Sequence, residues 1–271
     1  YIENSLIKKC QKNNVVLFSF ERIKFKHKNC YNITLKSNFF RELFFLIFNF
    51  NFFYSTTPNL NSSLFKKSIS KNSKYIYLQH SPVSLLKAYN KDAFIEFDAI
   101  ETINSFQYAE VNILNKKYKK KIKPFKSRYK FLKRFNNKVE KNIDVLIAPT
   151  WSTDFYKKNY HKLLIYYLNK NNISYVLRPH PMSIQKKEVN LNDLNNDNII
   201  CDLNSDFQIQ NYSNLISNWS GIFIEFSLIN KKKSYHINTS KKVLNENDFD
   251  DYETIEDFAN KILTYNIDMN T

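Results

Sequence analysis

Arg178-Pro179-His180-Pro181 places a guanidinium and an imidazole at the end of an apolar segment. The two prolines fix the backbone there and remove competing N–H donors. A guanidinium grips phosphate through paired hydrogen bonds; an imidazole donates to a phosphoryl oxygen or to a leaving group. Further on, Ser217-Asn218-Trp219-Ser220-Gly221 joins a strand-like segment to an apolar run that reads as a helix. Gly221 is the only glycine in the chain, so its place is expected to need either a positive φ or a backbone open to close approach by a ligand. A Ser/Gly turn opening a helix offers free N–H groups and the positive end of the helix dipole to an anion. Glu225 lies one turn later, in Ile222-Phe223-Ile224-Glu225-Phe226, and a carboxylate among apolar neighbours needs a partner. A ribose diol is preferred for that role over a nearby lysine. His80, in Gln79-His80-Ser81-Pro82, ends a strand-like segment of the first half. It is a candidate general base on an acceptor hydroxyl if the two halves face one another, and otherwise a satisfied interface histidine. His27, His161 and His236 lack such surroundings and read as surface or packing residues.

Other chemistries find no support. There is no phosphate-binding Walker loop and no Gly-rich dinucleotide fingerprint. Ser220 is not set in a nucleophile elbow. Cys and His residues show no metal-ligand spacing, so no metal site is expected. Asp248-Phe249-Asp250 lies in an acidic stretch and reads as a solvated helix start. Cys10, Cys30 and Cys201 are scattered and odd in number, which fits a reducing cytoplasm better than a disulfide framework. The chain begins at Tyr1, which leaves room for a missing N-terminus and a removed targeting segment.

The elements that must carry these residues alternate between strand and helix. Strands are expected at 15–20, 75–79, 97–102, 144–148, 173–177, 199–201, 215–217 and 234–237. Helices are expected at about 39–48, 105–117, 160–170, 207–212 and 222–229. Leu43 to Phe53 is too short to span a bilayer, which needs ~20 apolar residues, and reads as a buried helix running into a strand. Alternation of this kind predicts parallel sheets, whose ligands bind at the strand carboxyl ends. The motifs at 149–151, 178–181 and 217–221 all fall at such ends, so they are expected to converge. The net charge of +16 is uneven. Residues 116–141 carry 13 Lys and Arg against one Glu, whereas 142–271 are slightly acidic. The division expected is an acceptor-side domain over 1–115, a basic linker or helix over 116–141, and a donor-binding domain over 142–271. The basic stretch would face nucleic acid, anionic lipid or a polyanionic substrate, or be a solvated linker. The abundance of Asn, Lys and Ile reads as compositional bias of the source genome.

Ala148-Pro149-Thr150-Trp151, Leu177-Arg178-Pro179-His180-Pro181 and the run from Ile216 to Phe226 resemble the CDP-glycerol glycerophosphotransferases, which build teichoic acid and capsule polymers. His80-Ser81-Pro82 resembles the His-Gly motif of that family's acceptor side. The resemblance implies a GT-B architecture: two Rossmann-like α/β domains whose parallel sheets face a central cleft. It also implies a CDP-glycerol or other cytidine-nucleotide donor, and a polysaccharide or glycolipid acceptor. By the same resemblance His80 is the base and His180 binds the donor diphosphate. Thr150, Trp151, Arg178, Ser217, Asn218, Ser220 and Gly221 line the donor side, and Glu225 takes the ribose. No cofactor is implied, and the need for a divalent metal is left open. The implied place is the cytoplasm, with attachment at the inner face of the cell membrane through 116–141. Three positions depart from the family pattern: Asn218 stands for Asp, Gly221 for Ser and Ser81 for Gly. Transferases using CMP-linked sialic acid or Kdo share a His-Pro motif and a downstream Ser turn, and are the alternative. A nucleic-acid-binding protein or an inactive scaffold is the alternative of another class.

Overall fold

A computed structural model describes residues 8–19, 25–35, 37–61, 65–70, 72–128, 143–190, 208–241, 252–267 and 269. The chain folds as two compact units that are not contiguous in sequence. The first holds Tyr1–Gln79, Asp92–Thr102 and Val111–Lys130; the second holds His80–Lys91, Ile103–Glu110 and Phe131–Thr271. Residues 80–91, which carry the candidate base, thus belong to the same unit as the motifs at 149–151, 178–181 and 217–221.

In the first unit, β1 (Val15–Ser19) and β2 (Cys30–Thr34) pair in parallel. After α1 (Asn38–Ile47), the strands β3 (Phe52–Ser55), β4 (Lys74–Tyr77), β5 (Ala99–Thr102) and β6 (Lys123–Lys126) form a parallel sheet in the order β3-β4-β5-β6. Buried aromatics fill its core, with Tyr77 edge-on to Phe94 at 4.9 Å and Phe53 against Tyr75 at 5.5 Å between ring centres. The chain leaves β4 for the second unit and returns to β5, so His80 lies just beyond a strand carboxyl end. The expectation of a buried helix around Leu43 is corrected. Only Arg41 and Phe45 of α1 are buried, while Phe39 is 71% and Ile47 63% exposed. Phe45 reaches Phe18, Phe53 and Phe65, and Phe44 reaches Phe18 and Phe50, whereas the apolar face that carries Phe39, Phe40, Leu43 and Ile47 is left exposed. The basic segment is also partly sheet. β6 lies at the sheet edge, where flanking lysines stay wet and Pro124 is tolerated. Residues 129–141 of that segment lie outside the described residues, as do the strand expected at 199–201 and the Asp248-Phe249-Asp250 motif. Among the described residues no helix is long and apolar enough to cross a membrane.

The second unit is a five-stranded parallel sheet in the order β11-β10-β9-β7-β8. Its strands are β7 (Ile143–Ile147), β8 (Tyr175–Leu177), β9 (Tyr212–Ser217), β10 (Ser234–Ile237) and β11 (Thr264–Ile267). Its helices are α3 (Tyr160–Lys170), α4 (Pro181–Gln185), α5 (Gly221–Asn230) and α6 (Ile255–Leu263), with α2 (Ser105–Tyr118) contributing its first six residues. Strand alternation sorts the side chains into two cores. Val145, Ile147, Tyr175 and Leu177 meet Tyr160, Leu164 and Leu168 of α3 on one face. Leu146, Val176 and Leu215 meet Phe223, Ile224 and Phe226 of α5 and Ala259 of α6 on the other. The helix expected at 207–212 is a single 3-10 turn, Ile209–Asn211, and Tyr212 already starts β9. β7 is flanked by β8 and β9, so the sheet reverses its winding there, and the crevice at such a reversal is where open α/β sheets hold ligands.

The strand ends at this reversal are tied by Asn218, which is fully buried. Its Oδ1 accepts the Thr150 N–H at 2.7 Å, and its Nδ2 donates to the hydroxyls of Thr153 and Thr239 at 3.1 and 3.2 Å. The Ser217 hydroxyl donates to the Ala148 carbonyl at 2.7 Å. Each such bond contributes about 1 kcal/mol net, and removing one partner strands the other without water.

Residues 80–87 are held by three buried polar side chains. Gln107 Nε2 donates to the carbonyls of Ser81 and Val83 at 3.2 and 2.9 Å. Glu110 accepts from the Ser84 hydroxyl at 2.6 Å and the Leu85 N–H at 2.7 Å. Glu256 of α6 accepts the Ser84 N–H at 3.0 Å. Burial pushes both carboxyl groups up to about 7.

Two outcomes follow from these arrangements. The folded chain keeps the Glu110 proton up to about pH 7, while the unfolded chain releases it near 4.5. This group therefore favours the fold at acidic pH, and that contribution is lost as pH rises through the window between them. His236, which burial keeps neutral down to about pH 4, acts in the opposite sense. The difference between Glu110→Gln and the unmutated chain isolates Glu110. Its unfolding free energy is expected to improve, relative to the unmutated chain, by on the order of 2 kcal/mol between pH 5 and pH 8, measured by urea titration. Lys231, at the carboxyl end of α5, is held at φ 53° and ψ 38°. Lys231→Gly removes the steric penalty of that conformation and is expected to raise stability by about 0.5–1 kcal/mol in the same titration.

Candidate functional site

The site forms at the carboxyl edge of the second unit's sheet. The loop after β7 supplies Thr150 and Trp151, and the loop after β8 supplies Arg178 and His180. The turn after β9 supplies Ser217 to Gly221. The structure brings these together with the segment at 80–83, because that segment packs on Gly221. A β-carbon at 221 would fall 3.1 Å from Val83 Cγ1, 3.2 Å from Pro82 Cδ, and in overlap with Ser81 Oγ. Gly221 has no positive φ. Of the two expected reasons for the glycine, close approach is the one that holds, and what approaches is the chain's own Ser81-Pro82-Val83 segment.

The histidines differ in their surroundings. His180 caps the start of α4: its Nδ1 accepts the Met182 N–H at 3.1 Å. An imidazole that accepts at Nδ1 carries its proton on Nε2. Pro181 at the first helical position gives up no N–H that the helix would use. The ring lies 6.2 Å from that of Trp151, over which the Lys186 ammonium sits at 4.2 Å. His80 is exposed, with its ring 6.4 Å from Tyr89. His161 and His236 are buried packing residues, as expected for side chains without polar motifs around them. His236 stands edge-on to Trp219 at 4.6 Å, and its charged form is suppressed by burial and by Lys241.

Three of the expected donor-side residues are committed to the scaffold. Thr150, Ser217 and Asn218 are buried, and the bonds given above join them to each other's strands. Trp151 and Ser220 are half-buried beside them. Ser220 is the residue before α5, yet its hydroxyl makes no capping bond. Arg178 falls two residues after Val176, on the α5 side of the sheet. Burial lowers its pKa, while Tyr212 and Glu225 raise it. Glu225 thus stands near a cation, Arg178, which follows β8.

Several residues of this region carried no sequence signal. Gln107, Glu110 and Glu256 stand on helices where a polar side chain ordinarily marks the solvent face. Lys241 sits 4.4 Å over the Trp219 ring, and the Trp219 Nε1–H donates to the Thr239 carbonyl at 2.9 Å. Each of the chain's two tryptophans thus sits at a strand carboxyl end under a lysine. Among the described residues there is no group of three or more His, Cys, Asp and Glu that could hold a metal ion.

No protein-family model and no curated protein matches the chain. Among solved structures it is similar to a histidine-to-alanine variant of the wall teichoic acid polymerase TagF, with a TM-score of 0.52 at 12% sequence identity. The match covers 88% of this chain and 65% of that one, so the chain spans a little under two thirds of the polymerase. At this identity the likeness is one of fold: an α/β architecture built on parallel sheets.

Proposed function

We propose that this chain is a transferase that moves a glycerophosphate, or a related polyol-phosphate, from a CDP-activated donor to a hydroxyl of a cell-surface polymer. One observation carries the reading. The His80 segment, the Gly221 turn and the His180 cap belong to one compact unit and border the winding reversal of its sheet. The four motif resemblances and the fold likeness to a teichoic acid polymerase agree with it.

The donor diphosphate lies at the start of α5, where the first N–H groups and the helix dipole face it. Ser220 adds a hydroxyl, and His180 adds the Nε2–H that its capping bond selects. Trp151 and Lys186 wall the same edge. Arg178, charge-coupled to Glu225, adds positive potential from beneath. An acceptor oxygen attacks the phosphorus bearing the polyol and its proton passes to His80. The bond from that phosphorus to the CMP oxygen breaks, and CMP leaves. The positive groups stabilise charge as it builds on the leaving phosphate. The basic stretch and the exposed apolar face of α1 suit an anionic polymer or the lipid surface that carries it.

The test is nucleotide-selective binding followed by turnover. CDP and CMP are expected to raise the melting temperature where UDP and GDP do not. With CDP-glycerol and a polyol-phosphate acceptor, His180→Ala and His80→Ala are each expected to lower CMP release by at least about 100-fold. Their melting temperatures should stay within a few degrees of the unmutated chain. Full turnover in the His80 variant would remove the general base from this scheme, and an equal response to all four nucleotides would remove the donor.

A further inference from the structure

Cys10 and Cys30 are separated in the sequence by the whole of β1, and they meet in the fold. Cys10 lies in a helical turn ahead of β1, where its carbonyl accepts the Asn29 side-chain N–H at 2.7 Å. Asn29 is fixed by β1 in turn. Its carbonyl accepts the Val15 N–H at 2.9 Å, and Val15 lies opposite Cys30 in the β1-β2 register. The residue that holds the Cys10 backbone is thus the immediate neighbour of Cys30. The two thiols are in hydrogen-bonding contact, and both are free. They differ in access: Cys10 is fully buried, whereas Cys30 is half-buried at the start of β2.

We propose that Cys10 and Cys30 form a redox-active pair, a site at which a low-molecular-weight disulfide such as oxidised glutathione is reduced and an intrachain Cys10–Cys30 bond is made. The more accessible partner acts first. Cys30 Sγ, as thiolate, attacks one sulfur of the oxidant, whose S–S bond breaks and releases one glutathione thiol. Cys10 Sγ then attacks Cys30 Sγ in the mixed disulfide and expels the second glutathione. Two cysteine thiols are oxidised, one disulfide is reduced to two thiols, and the two cysteine protons end on the glutathione sulfurs. Attack needs the thiolate, and burial together with the neighbouring thiol holds the Cys30 pKa above its usual value. The first step is therefore slow at neutral pH and faster above it. The bond, once made, closes a loop that contains all of β1. Phe18 of that strand packs on Phe44 and Phe45 of α1 at 4.9 Å between ring centres, so the link fixes the strand pair on which α1 leans. The inference is independent of the transferase reading.

The experiment treats the fully reduced whole chain with oxidised glutathione at pH 7 and pH 8, quenches with acid, and maps the unreduced tryptic peptides by mass spectrometry. Expected are a Cys10 peptide joined to a Cys30 peptide, a whole-chain mass lower by two hydrogens, and loss of two of the three thiols. The reaction is expected to run about tenfold faster at pH 8 than at pH 7. The oxidised chain is expected to melt a few degrees above the reduced one, and dithiothreitol reverses both changes. Cys30→Ser leaves position 10 unreacted and melts like the reduced chain, while Cys10→Ala stops at a glutathione adduct on Cys30. Should Cys10→Ala not fold, the peptide map of the unmutated chain still decides. A stable glutathione adduct on Cys30 beside a free Cys10 thiol overturns the inference. So does a link from either residue to Cys201, or the absence of reaction at both pH values.

Discussion

The absence of a side chain at 221 is what lets the second unit form its site. Ser81, Pro82 and Val83 lie against the first residue of α5 at distances that leave no room for a β-carbon. That contact brings a segment from the N-terminal half of the sequence to the end of β9. Once seated, the segment is locked by polar bonds and not by apolar burial alone: Gln107 and Glu110, one helical turn apart on α2, and Glu256 on α6 together take up its backbone groups. A buried carboxylate is an expensive clamp, because it must be neutral or fully bonded to stay dry. Using two of them on one short loop makes sense where the position of that loop, more than its stability, is what matters.

The opposite wall of the site is rigid for a related reason. Asn218 is the hub of three loops, and its amide offers both an acceptor and donors to groups cut off from water. An aspartate at this position has no N–H to give, so the three neighbours would have to supply every proton and a buried charge would have to be offset. Asn218 thus fits a scaffold role in this chain. The candidates left to face a ligand are the half-buried His180, Trp151 and Ser220 around it.

Much of the second unit was legible in the sequence. Buried parallel strands such as Asp144-Val145-Leu146-Ile147 read as continuous apolar runs, and α3 shows its buried Tyr160, Leu164 and Leu168 at helical spacing. What failed to show were elements whose local signal points elsewhere. β11 follows α6 with no turn residue between Leu263 and Thr264. β6 hides in a lysine run because an edge strand needs only part of its surface buried. The convergence of three motifs could be argued from strand ends alone, whereas the membership of residues 80–91 in the second unit could not. Nothing in Gln79-His80-Ser81-Pro82 announces that its partner lies at 221. The nearness of Arg178 to Glu225 was not legible for the same reason, since only the sheet brings the two together.

The single glycine also shows what kind of constraint composition cannot erode. Asn59, Asn61, Asn159, Asn172, Lys119, Lys187, Lys231 and Ser152 all have φ between 50° and 65°, the conformation in which glycine is ordinarily preferred. None of them is glycine. A residue with a side chain takes that conformation for about 1–2 kcal/mol, and asparagine for less, so a sequence drifting towards Asn and Lys can fill such sites one by one. Overlap with a neighbouring chain is a different kind of demand: it does not shrink with a better choice of side chain. At 221 the obstacle is three side-chain atoms of one segment, Ser81 Oγ, Val83 Cγ1 and Pro82 Cδ, and only a change in that segment could release the glycine. The chain's one glycine marks the contact between the start of α5 and residues 81–83.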